Sequence, residues 1–89
     1  MTRLFVRHTV GDYATWRKGY DAFDAQRHPM GVIGQGVYRS LDDDKNVTVW
    51  HDFASAEQAK AFVSSAALKN AMKEDGVQGV PSIWITNEA

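Results

Sequence analysis

Cysteine is absent from the 89-residue chain, which excludes disulfides, thiolate nucleophiles and Cys-ligated zinc or iron–sulfur centres together. Proline is scarce, and both copies, Pro29 and Pro81, stand beside expected element ends. No segment is long or biased enough to be a linker, so residues 1–89 read as a single domain. Long apolar runs are also missing. None approaches the ~18 residues of a membrane span, and Arg3, Arg7 and His8 interrupt the first ten residues, which leaves no signal-peptide core. A cytoplasmic protein without a membrane partner is the expectation. Neither sign of charge dominates: ten basic against eleven acidic side chains give a net charge of −1, so no basic face invites nucleic acid. Size sets a further limit. A chain this short buries only about 60 to 65% of its unfolded surface, and any sizeable pocket competes with the core.

What is present is punctuated clearly. Arg3 to Val10 has strand character, Gly11-Asp12 breaks it, and Asp12 supplies an N-cap for a helix starting at Tyr13. Tyr13, Trp16, Tyr20 and Phe23 recur at helical spacing and put four rings on one face; His28-Pro29 and Gly31 are expected to end this helix. Val32 to Ser40 and Lys45 to Phe53 read as an antiparallel pair across a polar turn of three aspartates. Ser55-Ala56-Glu57-Gln58 is a capping box opening a second helix, with Ala59, Phe62, Val63 and Ala66 inward, and Ser64-Ser65 marks a break and restart. Gly76 stops the restarted helix, and Pro81 to Thr86 is expected as a short last strand with Pro81 at its first position. The order βαββαβ most economically forms an α+β, ferredoxin-like antiparallel sheet with helices on one face.

The strands do not alternate cleanly. Val47, Val49 and Phe53 share one parity while Trp50 takes the other, and Ile83 and Ile85 oppose Trp84. Large apolar groups therefore stand on both sheet faces, and the face without helices needs a cover. A second copy of the chain is the expected cover, making a homodimer.

Four segments resemble the antibiotic-biosynthesis-monooxygenase-like proteins of the dimeric α+β barrel superfamily. They are Val6-Arg7-His8 through Asp12-Tyr13 and Trp16 to Tyr20; Gly36-Val37-Tyr38-Arg39; Val49-Trp50-His51-Asp52-Phe53 with Ala59 and Phe62; and Leu68, Ala71-Met72, Gly76-Val77 and Pro81. The resemblance spans nearly the whole chain and implies a dimer with facing sheets and a ligand cavity between sheet and helices in each subunit. In catalytic members of that family an aromatic substrate reacts with oxygen there without metal or flavin, so no cofactor is expected. Heme-degrading relatives ligate iron through a histidine on the second helix. This chain departs from them, with no histidine between Gln58 and Met72.

Three histidines carry the candidate acid–base chemistry. His28 stands at a helix end, where a cation suits the dipole. His8 and His51 fall four positions apart on neighbouring antiparallel strands, on the order of 13 Å, too far to share a metal ion. Each is either a hydrogen-bonded strand residue or a general base, and His51, beside Trp50 and Asp52, is the candidate base. The candidate substrate-binding wall is Tyr13, Trp16, Tyr20, Trp50 and Trp84, with a small apolar or aromatic molecule as ligand; core packing is the alternative for the helical rings. A cavity for such a ligand would need on the order of 300 Å³. Arg7 and Arg39 are either anion-binding or surface charges. Asn70, beside Lys69, falls on an outward helical face. Gly31, Gly34 and Gly36 precede no helix and mark a bulge or a close approach rather than a phosphate loop.

Overall fold

A computed structural model describes residues 1–89. The chain forms β1 (Thr2–Val10), α1 (Tyr13–Ala22), α2 (Asp24–Arg27), β2 (Gly34–Arg39), β3 (Asn46–Phe53), α3 (Ala56–Ser64), α4 (Ala66–Glu74) and β4 (Val77–Asn87). The strands lie in the order β2-β3-β1-β4, with every neighbour antiparallel. This is the ferredoxin-like arrangement. No helix is long and apolar enough to cross a membrane.

The capping residues act as their chemistry requires. Asp12 accepts from the backbone of Thr15, Ser55 from Gln58 and Ser65 from Leu68, each satisfying an orphan N–H of a first helical turn. Gly76 takes a positive φ of 85° just past α4, the left-handed stop that glycine adopts without strain. Because Ser65 restarts the helix in a new direction, Ala66 is exposed rather than inward.

Two expected boundaries move. The first helix ends at Ala22 instead of reaching His28; Phe23 turns the chain and a separate four-residue α2 follows. The last strand is much longer than Pro81 to Thr86, running from Val77 to Asn87. Pro81 sits inside it, where Gly79, Val80 and Pro81 bulge opposite His8 between the pairs Thr9–Gln78 and Arg7–Ser82. Gly79 makes that bulge with a φ of 70°. A proline without an N–H is tolerated there because β4 is an edge strand and the bulge already interrupts the ladder.

Strand parity divides the sheet. Leu4, Val6, Val10, Val47, Val49 and Phe53 point to the helices and pack on Trp16, Tyr20, Phe23, Ala59 and Phe62 in one buried cluster. The opposite face carries Phe5, Trp50, Trp84 and Tyr38. Phe5 and Trp84 stack with centroids 5.2 Å apart. Arg3 lies 4.0 Å over the Trp50 ring and makes a two-point ion pair with Asp52 at 2.7 and 2.9 Å. No helix covers this face, and Trp84 is 43% and Tyr38 63% exposed.

Candidate active site between sheet and helices

The stripe on α1 brings Trp16 and Tyr20 over the sheet, where β1 presents His8 between Val6 and Val10 and β3 presents His51 between Val49 and Phe53. The register pairs His8 with Val47 and His51 with Leu4, so the two histidines sit four positions apart, as their spacing requires. Together with Phe23, Phe62, Arg27 and, from α4, Leu68, Ala71, Met72 and Asp75, they enclose a cavity. It is narrow, at about 40 Å³. The ligand-sized void expected from the sequence is not open in this conformation, because the α4 side chains pack down onto the aromatic wall.

Rings and imidazoles form a continuous run. His8 meets Trp16 edge-on at 5.5 Å, Trp16 stacks on Tyr20 at 4.9 Å, and Tyr20 faces His51 at 6.1 Å. The Tyr20 hydroxyl and His51 Nε2 are 3.2 Å apart and buried. With Nδ1 protonated, Tyr20 donates to Nε2; in the other tautomer the imidazole donates to Tyr20. His51 Nδ1 has no hydrogen-bond partner, nor has Oε1 of its cross-strand neighbour Gln35.

Burial controls the electrostatics. Desolvation and then the nearby Arg27 guanidinium push the His51 imidazole down to about 4, so it is neutral at ordinary pH. Burial lowers His8 in the same way. It raises the Tyr20 phenol, with Arg27 and Arg17 opposing, and raises the Asp75 carboxyl, helped by Glu74. No group of three or more His, Cys, Asp or Glu side chains is placed to hold a metal.

The candidate residues divide by side. His51, Trp16 and Tyr20 line the cavity. Tyr13 does not line it; it packs against Trp16 at 5.8 Å, under Arg39 at 4.0 Å and within 3.4 Å of Arg17. Trp50 and Trp84, expected on the cavity wall, stand on the opposite sheet face; Trp50 adjoins His51 in one strand, and successive strand residues cannot point the same way. Arg7 is exposed and bonded to Asn46, and His28 bonds the Val32 carbonyl. Asn70 is exposed. The residue that sequence reasoning missed is Arg27. The signal was there, since 13, 16, 20 and 23 continue by one helical step to 27, but the expected core stripe had no place for a cation.

Fold and cavity define a one-sided α+β sandwich with a polar-ended site between its layers. No protein-family model and no curated protein matches the chain. Solved structures do. A protein from Bordetella bronchiseptica described as an antibiotic biosynthesis monooxygenase superposes with a TM-score of 0.84 at 16% identity, over 99% of this chain and 96% of that one. One of the same description from Nitrosomonas europaea gives 0.75 at 15%, over 99% and 98%. SnoaB from Streptomyces nogalater, a cofactor-independent oxygenase, gives 0.75 at 11%, over 99% and 94%. The chain thus has the fold of the antibiotic-biosynthesis-monooxygenase-like proteins, as its sequence resemblance implied.

Proposed function

We propose that the protein is a cytoplasmic homodimer of single-domain subunits, which binds a small, largely apolar, aromatic molecule between sheet and helices and oxidises or cyclises it without a cofactor. The observation that carries this reading is the buried Tyr20–His51 pair at 3.2 Å on a largely apolar cavity wall that also holds His8, Arg27 and Asp75. A phenolic or α-carbonyl proton of the ligand passes to the Tyr20 oxygen as the Tyr20 proton passes to His51 Nε2, leaving an electron-rich carbanion or phenolate in a dry site. With dioxygen as co-reactant, a methylene between two aromatic rings becomes a carbonyl; one oxygen atom enters the product and the other leaves as water with the two methylene hydrogens. Admission of the ligand requires α4 to lift. That helix has no fully buried residue and is held between the Ser65 cap and Gly76.

The aromatic face with Phe5, Trp50, Trp84 and Tyr38 is assigned to the partner copy, since a patch of that kind marks an interaction surface. Light scattering over a concentration series should give twice the chain mass; a monomer at all concentrations overturns this part.

Oxygen uptake with a panel of anthrones and quinols, scanned over pH, tests the chemistry. Turnover should be lost in His51→Ala, and unchanged turnover removes His51 as the base. A second reading, ligand binding without chemistry, is favoured by the low basicity of His51, because a base far below the working pH takes a proton poorly. Binding without oxygen uptake anywhere in the panel would establish it.

A further inference from the structure

Proton transfer between Tyr20 and His51 leaves one buried charged group of the cavity unused. Arg27 is only 2% exposed, lines the cavity beside Tyr20 and His51, and stacks 3.8 Å over the Tyr20 ring. One of its terminal nitrogens donates to the Tyr20 carbonyl, a carbonyl of the last turn of α1 that the break at Phe23 leaves available. Its Nε has no hydrogen-bond partner. The one carboxylate within ion-pair reach is Asp24, at 3.5 Å. Asp24 is itself divided: Gln35 Nε2 lies 3.2 Å from the same oxygen, and His28 Nε2 lies 3.6 Å from the other. A guanidinium buried this deeply with a shared, solvent-facing counter-ion is undercompensated, and a second anion beside it relieves that. The rest of the wall is mostly apolar, with Val6, Val49, Phe62, Leu68 and Met72, but it also holds His8, His51 and Asp75, the last near enough for Arg27 to lower its carboxyl against the effect of burial, though not within ion-pair distance.

We propose that the ligand is a planar apolar molecule carrying one acidic oxygen, and that Arg27 selects it in the ionised form, receiving the oxyanion together with the Tyr20 hydroxyl. The proposal rests on the cavity being a ligand site. An enolate or phenolate is the same chemistry as a carboxylate at this position, so the anion held by Arg27 would be either a bound acid or the deprotonated substrate itself. Asp75 is the one carboxylate on the wall, and it packs against Gly19.

Matched probes separate charge from shape. Tryptophan fluorescence of the full chain, titrated with naphthoate and with its neutral isostere naphthamide, should show the anion binding about tenfold tighter or more, the range of a hydrogen bond to a charged group. Arg27→Met should bring the two affinities within about twofold while leaving naphthamide nearly unchanged, and Arg27→Lys should keep part of the preference. Para-nitrophenol is the second arm: if the site takes phenolates, the bound probe shows the anion's absorbance at a pH where the free probe is mostly neutral, and if it takes only carboxylates, naphthoate alone is preferred. Either result supports the proposal. Equal binding of naphthoate and naphthamide by the unmodified protein overturns it while the cavity reading stands, and needs no variant to fold. Equal weakening of both probes by Arg27→Met also overturns it, reducing Arg27 to a support for α1. Failure of every probe to bind overturns the cavity reading and the proposal together.

Discussion

As pH falls from 6.5 to about 4, His51 should remove about 3 kcal/mol of folding stability, since its value drops by some two and a half units at about 1.4 kcal/mol each. The sign follows from proton counts. Between these two values the unfolded chain binds a proton at this imidazole and the native protein does not, so acid favours unfolding. The contribution is complete above 6.5 and changes no further below about 4. His8, also lowered by burial, acts in the same direction. Asp75, raised by burial, opposes it, because its native form takes up a proton before the unfolded one does. Asp12, lowered chiefly by its bonds from Thr15, and Asp52, lowered chiefly by its bond from Arg3, weaken the fold only below the usual carboxylate range. Urea unfolding across this window, at fixed protein concentration, should show the loss; in a domain of this size it lowers Tm by about 10 to 20 °C. His51→Gln should flatten the profile by most of that amount. An equally steep profile in the variant would refute the assignment of a desolvated, neutral His51.

Three further outcomes follow from the packing. At Gly36 a methyl group would stand 2.6 Å from Trp50 Cε2, in a ring already stacked by the Arg3 guanidinium at 4.0 Å, so Gly36→Ala should destabilise by about 1–3 kcal/mol in chemical denaturation; a neutral result would mean that Trp50 is free to move. Ser65 accepts from Leu68 N and donates to the Phe62 carbonyl at 2.8 Å, and Ser65→Ala should cost about 1 kcal/mol and speed amide exchange in α4 before other elements. Asp75→Asn removes the carboxylate from the cavity wall and should tighten naphthoate, but not naphthamide, by about three- to tenfold in the same fluorescence titration. Unchanged naphthoate affinity would place Asp75 outside the ligand's field.

The order of elements was legible because its signals are local. Asp12, Ser55 and Ser65 each cap the helix that follows them in sequence, Gly76 stops the one before it, and the aromatic spacing from Tyr13 to Phe23 needs only helical geometry to define a face. The separation of His8 and His51 was legible too, since strand register converts four positions into a distance. The end of the first helix was not, because His28-Pro29 is a stop signal that the earlier turn at Phe23 makes redundant. The length of β4 was hidden by Gly79 and Pro81, which resemble a loop and instead form a bulge whose pairing partner, β1, lies some seventy residues away. Trp50 and Trp84 were misplaced for a related reason: alternation showed that they oppose their neighbours, but not which face the helices cover.

By itself, then, the sequence determined an α+β chain with large apolar side chains on both sheet faces and two strand histidines four positions apart, because caps, periodicity and parity act within a few residues. The tertiary structure alone decided that Arg27 joins Tyr20 and His51 in one cavity, that this cavity is nearly closed by α4, and that the strand tryptophans face away from it. Those facts depend on how separate elements pack, and burial by distant residues is what neutralises His51 and leaves the Arg27 charge undercompensated.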